Sequence, residues 1–171
     1  MSTQAQPLIN RLFELKLTIT TVESCTAGLV ASLLSEHPKA GSLLESGLVT
    51  YTPESKMDLL GIHPGIFEKY NLTSEKVAHE MAVGAAKLTR ATTVIATTGV
   101  LDDTAEPEIP AGTVCFAWLY KMGETKPKLF TRTHVFDGSE QDRCQQAALY
   151  ALTLAAELYE QHVHSKDAKH S

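Results

Sequence analysis

Ser24, Tyr51 and Lys56 are residue types that could carry out acyl chemistry together. A serine hydroxyl is a weak nucleophile until a neighbouring base takes its proton. A lysine that is partly buried, or held near other cations, has a lowered pKa and can be that base. A tyrosine can relay or orient the proton. Cys25, next to Ser24, is a rival nucleophile, since a thiol at a helix N-terminus loses its proton more readily, although no histidine lies near it in sequence. The same residues also fit a purely structural role, with Ser24 or Thr26 capping a helix and Lys56 on the surface of a short one. His37, His63, His79 and His134 lack the spacing of a metal-binding HExxH helix and read as ordinary surface or core side chains.

For these groups to meet, the fold must gather chain segments at one end of a sheet. Residues 17–22, LTITTV, are β-branched and predict a strand; the small polar run Glu23-Ser24-Cys25-Thr26-Ala27-Gly28 follows, and residues 29–35 predict a helix. Residues 44–52 predict a second strand, and residues 53–60 a short helix with Pro53 near its start and Gly61 past its end. Thr73 or Ser74 caps a longer helix whose face is Val77, Ala78, Met81, Ala82, Ala85 and Ala86. Residues 92–98 predict a third strand, residues 99–111 a long acidic loop, residues 113–120 a fourth strand, residues 123–127 a turn and residues 129–136 a fifth strand. A loop that long inside a compact domain is more often functional than accidental. An amphipathic helix is expected over residues 7–15, and Ser139 with Asp142 resembles a capping box opening a helix that buries Cys144, Ala147, Ala148, Ala151, Leu152, Ala155 and Leu158.

Strands alternate with helices early and then two strands follow one another, which predicts a three-layer α/β/α domain with a mixed, mostly parallel sheet over residues 1–161. Residues 162–171, with His162, His164 and His170, read as a solvated polar tail rather than a metal tract. In open α/β sheets ligands bind beyond the carboxyl ends of strands. Three polar clusters fall there: Glu23 to Thr26, Thr50 to Lys56, and Thr97-Thr98-Gly99. Main-chain N–H groups in the first would suit a phosphate or an oxyanion.

At 171 residues the chain has room for one full core. Its net charge of −5 argues against non-specific nucleic-acid binding, because no basic excess is available to neutralise phosphates. Met1 to Gln6 shows no secretion signal and no apolar run reaches the length of a membrane span, so the cytoplasm is the expected compartment. Cys25, Cys115 and Cys144 form neither a disulfide framework nor a zinc pattern and read as small buried hydrophobes.

Several stretches resemble the CinA C-terminal domain family. Val22-Glu23-Ser24-Cys25-Thr26-Ala27-Gly28 is similar to its A-E-S-C-T-G-G motif, and Val49-Thr50-Tyr51-Thr52-Pro53-Glu54-Ser55-Lys56 to its V-[ST]-Y-S-N-x-x-K motif. Leu60-Gly61-Ile62 follows, then Thr73 to Val77 with Glu80-Met81-Ala82 and Gly84-Ala85, like the family's V-S-E-x-V-x-x-E-M-A-x-G-A helix. Thr98-Gly99-Val100 and Pro110-Ala111-Gly112-Thr113-Val114 frame its central loop, and the likeness runs from about residue 8 to residue 160. The resemblance implies hydrolysis of the carboxamide of nicotinamide mononucleotide to nicotinate mononucleotide and ammonia, without metal or organic cofactor, by a homo-oligomer. It implies Ser24 as nucleophile, Lys56 and Tyr51 as its proton-handling partners, and Glu23, Thr26, Thr98, Gly99 and Arg143 at the substrate.

Two departures bear on that expectation. The family's glycine-rich central loop is replaced by Leu101-Asp102-Asp103-Thr104-Ala105-Glu106-Pro107, with Glu108 beyond and Ile109 in place of a lysine. The family's G-D-R-x-x-[IV]-R reads Gly138-Ser139-Glu140-Gln141-Asp142-Arg143-Cys144, so Glu140 and Cys144 stand in place of its arginines and Arg143 is one position off. The alternative to an active amidase is a weakly active or non-catalytic relative that binds another small ligand or a protein partner.

Overall fold

A computed structural model of the chain describes residues 4–103 and 108–164. Its five-stranded sheet has the order β2-β1-β3-β4-β5, with β1 at Ile19–Glu23, β2 at Leu44–Val49, β3 at Thr93–Val100, β4 at Thr113–Met122 and β5 at Thr125–Val135. β1 pairs in parallel with β2 and β3, and β4 runs antiparallel to both β3 and β5, so every strand but β4 points the same way. The helices are α1 at Ala5–Glu14, α2 at Leu29–Ser35, α3 at Pro53–Leu60, α4 at Gly65–Lys69, α5 at Glu75–Leu88 and α6 at Glu140–Leu158. None among the described residues is long and apolar enough to cross a membrane.

The two-residue period of the strands sorts the core into two layers. On one face Ile95, Phe116, Trp118 and Tyr120 meet Ile9 and Leu12 of α1, Leu34 of α2 and Leu152 of α6. On the other, Val94, Ala96, Ala117 and Leu119 meet Val77, Met81 and Ala85 of α5, with Leu60 of α3. Burying each large side chain contributes about 1.5–3 kcal/mol. The aromatic residues also find polar partners: the Trp118 indole donates to the Ala151 carbonyl at 2.8 Å and the Tyr120 hydroxyl to that of Ala155 at 2.7 Å.

One glycine fixes where the second polar cluster sits. A Cβ at Gly84 of α5 would collide with the carbonyl and side chain of Leu60, the last residue of α3. Only glycine lets α3, which carries Lys56, lie this close to α5 and therefore to the sheet. α3 itself is held by a reciprocal capping box between Thr52 and Ser55, by Pro53 in its first turn and by Gly61 at φ 67° at its end.

The sequence reading differs from the structure in a few places. The second strand stops at Val49 because Thr50 to Thr52 already turn into α3. β5 starts at Thr125, ahead of the expected residue 129, giving a hairpin with Gly123 and Glu124 at its tip. Pro127 is tolerated there because β5 is an edge strand with no further neighbour to receive an N–H. α4 and the 3₁₀ turn Ala40–Ser42 were not expected; both are too short to show a period. The chain continues past α6 as a π-helical turn, Tyr159–His164, in which Val163 is buried and His162 exposed. Glu106 of the acidic loop and His170 of the expected tail lie outside the described residues.

Candidate active site

The end of β1 opens into a tight turn organised by Glu23, which is fully buried. Its Oε2 accepts from Thr26 Oγ1 at 2.6 Å, the Gly28 N–H at 3.0 Å and the Val30 N–H at 3.1 Å, while Oε1 accepts from the Ala31 N–H at 2.9 Å. The carboxylate thus serves donors of the first turn of α2, where a negative charge is also favoured by the helix dipole. Thr26 Oγ1 in turn meets Thr97 Oγ1 at 2.8 Å, and the Ser24 N–H donates to the Thr97 carbonyl at 2.9 Å, tying the turn to β3. Glu23 and Thr26 are buried supports of the turn and lie off the cleft wall.

Accounting for the turn's main-chain donors leaves two. Those of Ser24, Ala27, Gly28, Leu29, Val30 and Ala31 are each bonded within the protein. Among the described residues no acceptor is assigned to those of Cys25 and Thr26, the two that follow Ser24.

The turn carries a backbone strain. Ala27 sits at φ 47° and Gly28 at φ 96°, and the left-handed region costs a non-glycine residue about 1–2 kcal/mol. Part of any gain from glycine is returned to the more flexible unfolded chain. Ala27→Gly is therefore expected to raise stability by up to about 1 kcal/mol, a rise of about 2–4 °C in Tm for a domain of this size, read by thermal denaturation. An unchanged or lower Tm would mean that the unfolded-state cost cancels the relief.

Across the turn stands Lys56, fully buried although lysine is almost never so. Its Nζ lies 3.0 Å from Ser24 Oγ, 2.6 Å from the Thr50 carbonyl oxygen and 3.2 Å from that of Tyr51. Two fixed carbonyls claim two N–H bonds, so the remaining tetrahedral position faces Ser24 Oγ. Charged, the amine donates there; neutral, it presents its lone pair to the serine hydroxyl. Burial pulls the lysine pKa down from 10.5 to about 8, disfavouring the ammonium form. Burial pushes the Cys25 thiol the other way, up to about 12, so the thiolate needed for nucleophilic attack is scarce at neutral pH.

Ser24 and Cys25 line a cleft of about 170 Å³ with Tyr51, Thr98, Gly99, Val100, Leu101, Asp102 and Glu140. Thr98 Oγ1 donates to the Leu72 carbonyl at 3.1 Å, fixing this part of the cleft wall. A Cβ at Gly99 would collide with the Thr113 carbonyl and the Val114 backbone, so this wall is bare main chain by necessity. Tyr51 is 66% exposed and lines the cleft, while its contact with Lys56 is made by the main-chain carbonyl. Arg143 is turned to the central loop, where Nη1 donates to the Leu101 carbonyl at 2.7 Å and pairs with Asp103 Oδ1 at 3.0 Å.

The structure therefore brings Ser24, Tyr51, Thr98 and Gly99 to one cleft, with Lys56 buried against Ser24, Glu23 and Thr26 supporting the turn, and Arg143 bonded to Leu101 and Asp103. The sequence reading missed the carbonyls of Thr50 and Tyr51, whose identity no side chain reveals. It also missed Glu23 as a cap, since it reaches N–H groups five to eight residues ahead, beyond the usual three-residue spacing. Among the described residues no group of three or more His, Cys, Asp and Glu side chains is placed to hold a metal ion.

The model of the CinA C-terminal domain family matches residues 1–159. A CinA-like protein of Chlorobaculum tepidum is 35% identical over 154 residues, covering 88% of this chain and 36% of that protein. One of Mycobacterium tuberculosis is 38% identical over 137 residues, covering 80% and 31%. The chain thus spans about a third of the length of these curated relatives. Competence damage-inducible protein A of Klebsiella pneumoniae superposes with a TM-score of 0.85 at 26% identity, over 92% of this chain and 98% of that one. The competence or damage-inducible protein of Enterobacter asburiae gives 0.81 at 31% identity, over 90% and 94%. With the mixed sheet, the Ser24 turn and the family match in agreement, the chain belongs to the CinA C-terminal domain family.

Proposed function

We propose that the chain is a serine amidohydrolase that converts a primary carboxamide to a carboxylate and ammonia, with Ser24 as nucleophile and Lys56 as its base. The observation that carries this reading is the buried contact of Lys56 Nζ with Ser24 Oγ at 3.0 Å. Family resemblance makes the carboxamide of nicotinamide mononucleotide the reaction to assay first.

The neutral Lys56 amine takes the Ser24 proton as Oγ attacks the amide carbon. The N–H group of Cys25, which lines the cleft, is the donor for the oxyanion that develops; one such donor is worth about 10²–10³ in rate. The Lys56 ammonium then returns its proton to the leaving nitrogen, and ammonia departs as the C–N bond breaks. A water molecule, deprotonated by Lys56, attacks the Ser24 ester; breaking that ester bond frees the carboxylate and restores the hydroxyl. Thr98 and Gly99 form the wall against which the amide lies, and the Tyr51 ring closes the outer edge.

The test combines an ammonia assay on primary carboxamides with peptide mass spectrometry of acid-quenched turnover mixtures. An acyl adduct on Ser24 is expected. Ammonia release accompanied by an adduct on Cys25 instead would overturn the assignment.

A further inference from the structure

We infer that this cleft selects a carboxamide carried on a cationic group and free of phosphate; the inference rests on the amidohydrolase reading above and names its substrate class. The cleft of about 170 Å³ is smaller than the roughly 300 Å³ at which pockets for whole drug-sized ligands begin. It takes the amide and its ring, and the rest of the substrate must pass the rim. The charged side chains lining that rim are Asp102 and Glu140. Glu140 is exposed in the first turn of α6.

The cation nearest them, Arg143 on the next turn of α6, is paired through Nη1 with the Leu101 carbonyl and with Asp103. Its side chain is 14% exposed against 79% for Asp103, so the guanidinium is largely screened from solvent. Lys56, buried behind Ser24, is bonded to Ser24 and two carbonyls. A phosphate leaving the cleft would thus meet the Glu140 carboxylate and an arginine already paired with Asp103, whereas a positive ring or side group would meet attraction. The Arg143–Asp103 pair is the specificity device: it commits the cation to a loop carboxylate.

Binding to Ser24→Ala protein, which cannot turn over, isolates the selectivity. By calorimetry at low salt, 1-methylnicotinamide (a fixed cation) is expected to bind about tenfold tighter than neutral nicotinamide, the size of one partly screened charge contact. Nicotinamide riboside should bind tighter than nicotinamide mononucleotide, which differs by the phosphate. Glu140→Gln should remove most of the cation preference, and Asp103→Asn, by freeing Arg143, should narrow the gap between riboside and mononucleotide. The inference is overturned if the mononucleotide binds tighter than the riboside, if the cation preference survives Glu140→Gln with Asp102→Asn, or if none of the four compounds binds. Turnover by the unmodified protein separates the two claims: cation-selective binding without ammonia release leaves the selectivity standing and removes the catalytic reading, while faster hydrolysis of the mononucleotide than of the riboside does the reverse.

Discussion

Ser24→Ala is expected to lower carboxamide hydrolysis by about four to six powers of ten, and Lys56→Met by a comparable factor. The two groups act as one unit across a 3.0 Å contact, so the double variant should be no slower than the worse single one. Cys25→Ala should retain most activity, because burial keeps the thiol protonated. Folding should survive Ser24→Ala, which removes a single hydrogen bond worth about 1 kcal/mol. Ammonia release and circular dichroism on the same preparations check both points. Activity in Ser24→Ala within about tenfold of the unmodified protein, against the losses expected for a nucleophile, would exclude the serine from that role.

The second large effect is in pH dependence. Only the neutral amine can accept the serine proton, so kcat/KM should rise tenfold per pH unit below about 8 and level off above it, following the lowered Lys56 pKa. The same group links stability to pH. Unfolded, the lysine keeps its proton to about pH 10.5; folded, it has lost it above about 8. Between those values the unfolded chain binds more protons, so stability rises with pH, and the burial penalty is fully present below about 8. The stability of the unmodified protein relative to Lys56→Met should therefore climb by about 3 kcal/mol from pH 7 to pH 10.5. Taking the difference cancels Cys115, Cys144 and Tyr120, whose raised pKa values push the other way in both proteins. A flat difference in denaturant titrations would mean that Lys56 is charged when folded and is not the base.

How far the sequence disclosed this arrangement depended on the range of each signal. The strand starts at Thr113 and Leu44, α2 and α3 follow from local period, proline and glycine placement, and the structure puts them at the expected bounds. The capping box at Ser139 and Asp142 was legible for the same reason and is reciprocal in the structure. Ser24 and Lys56 could be named as types, but their 32-residue separation hides the contact that gives them meaning. It is created by β1 and β2 pairing side by side, Glu23 against Val49, and by α3 folding back under the Gly84 contact. Arg143 shows the opposite case: the sequence placed it at the substrate, whereas its partners are on a loop 40 and 42 residues away. No local pattern announces such an ion pair.

The fully buried Lys56 amine gives this chain a particular evolutionary exposure. Most substitutions in a core weaken a protein, and selection discards them only below a stability threshold. Position 56 reverses that slope: an unbranched hydrophobe there would relieve a charge of its desolvation below about pH 8. A lineage with no further use for the hydroxyl–amine pair would thus find an easy route to losing the lysine, while Glu23 and Gly84, which hold the framework, would be retained.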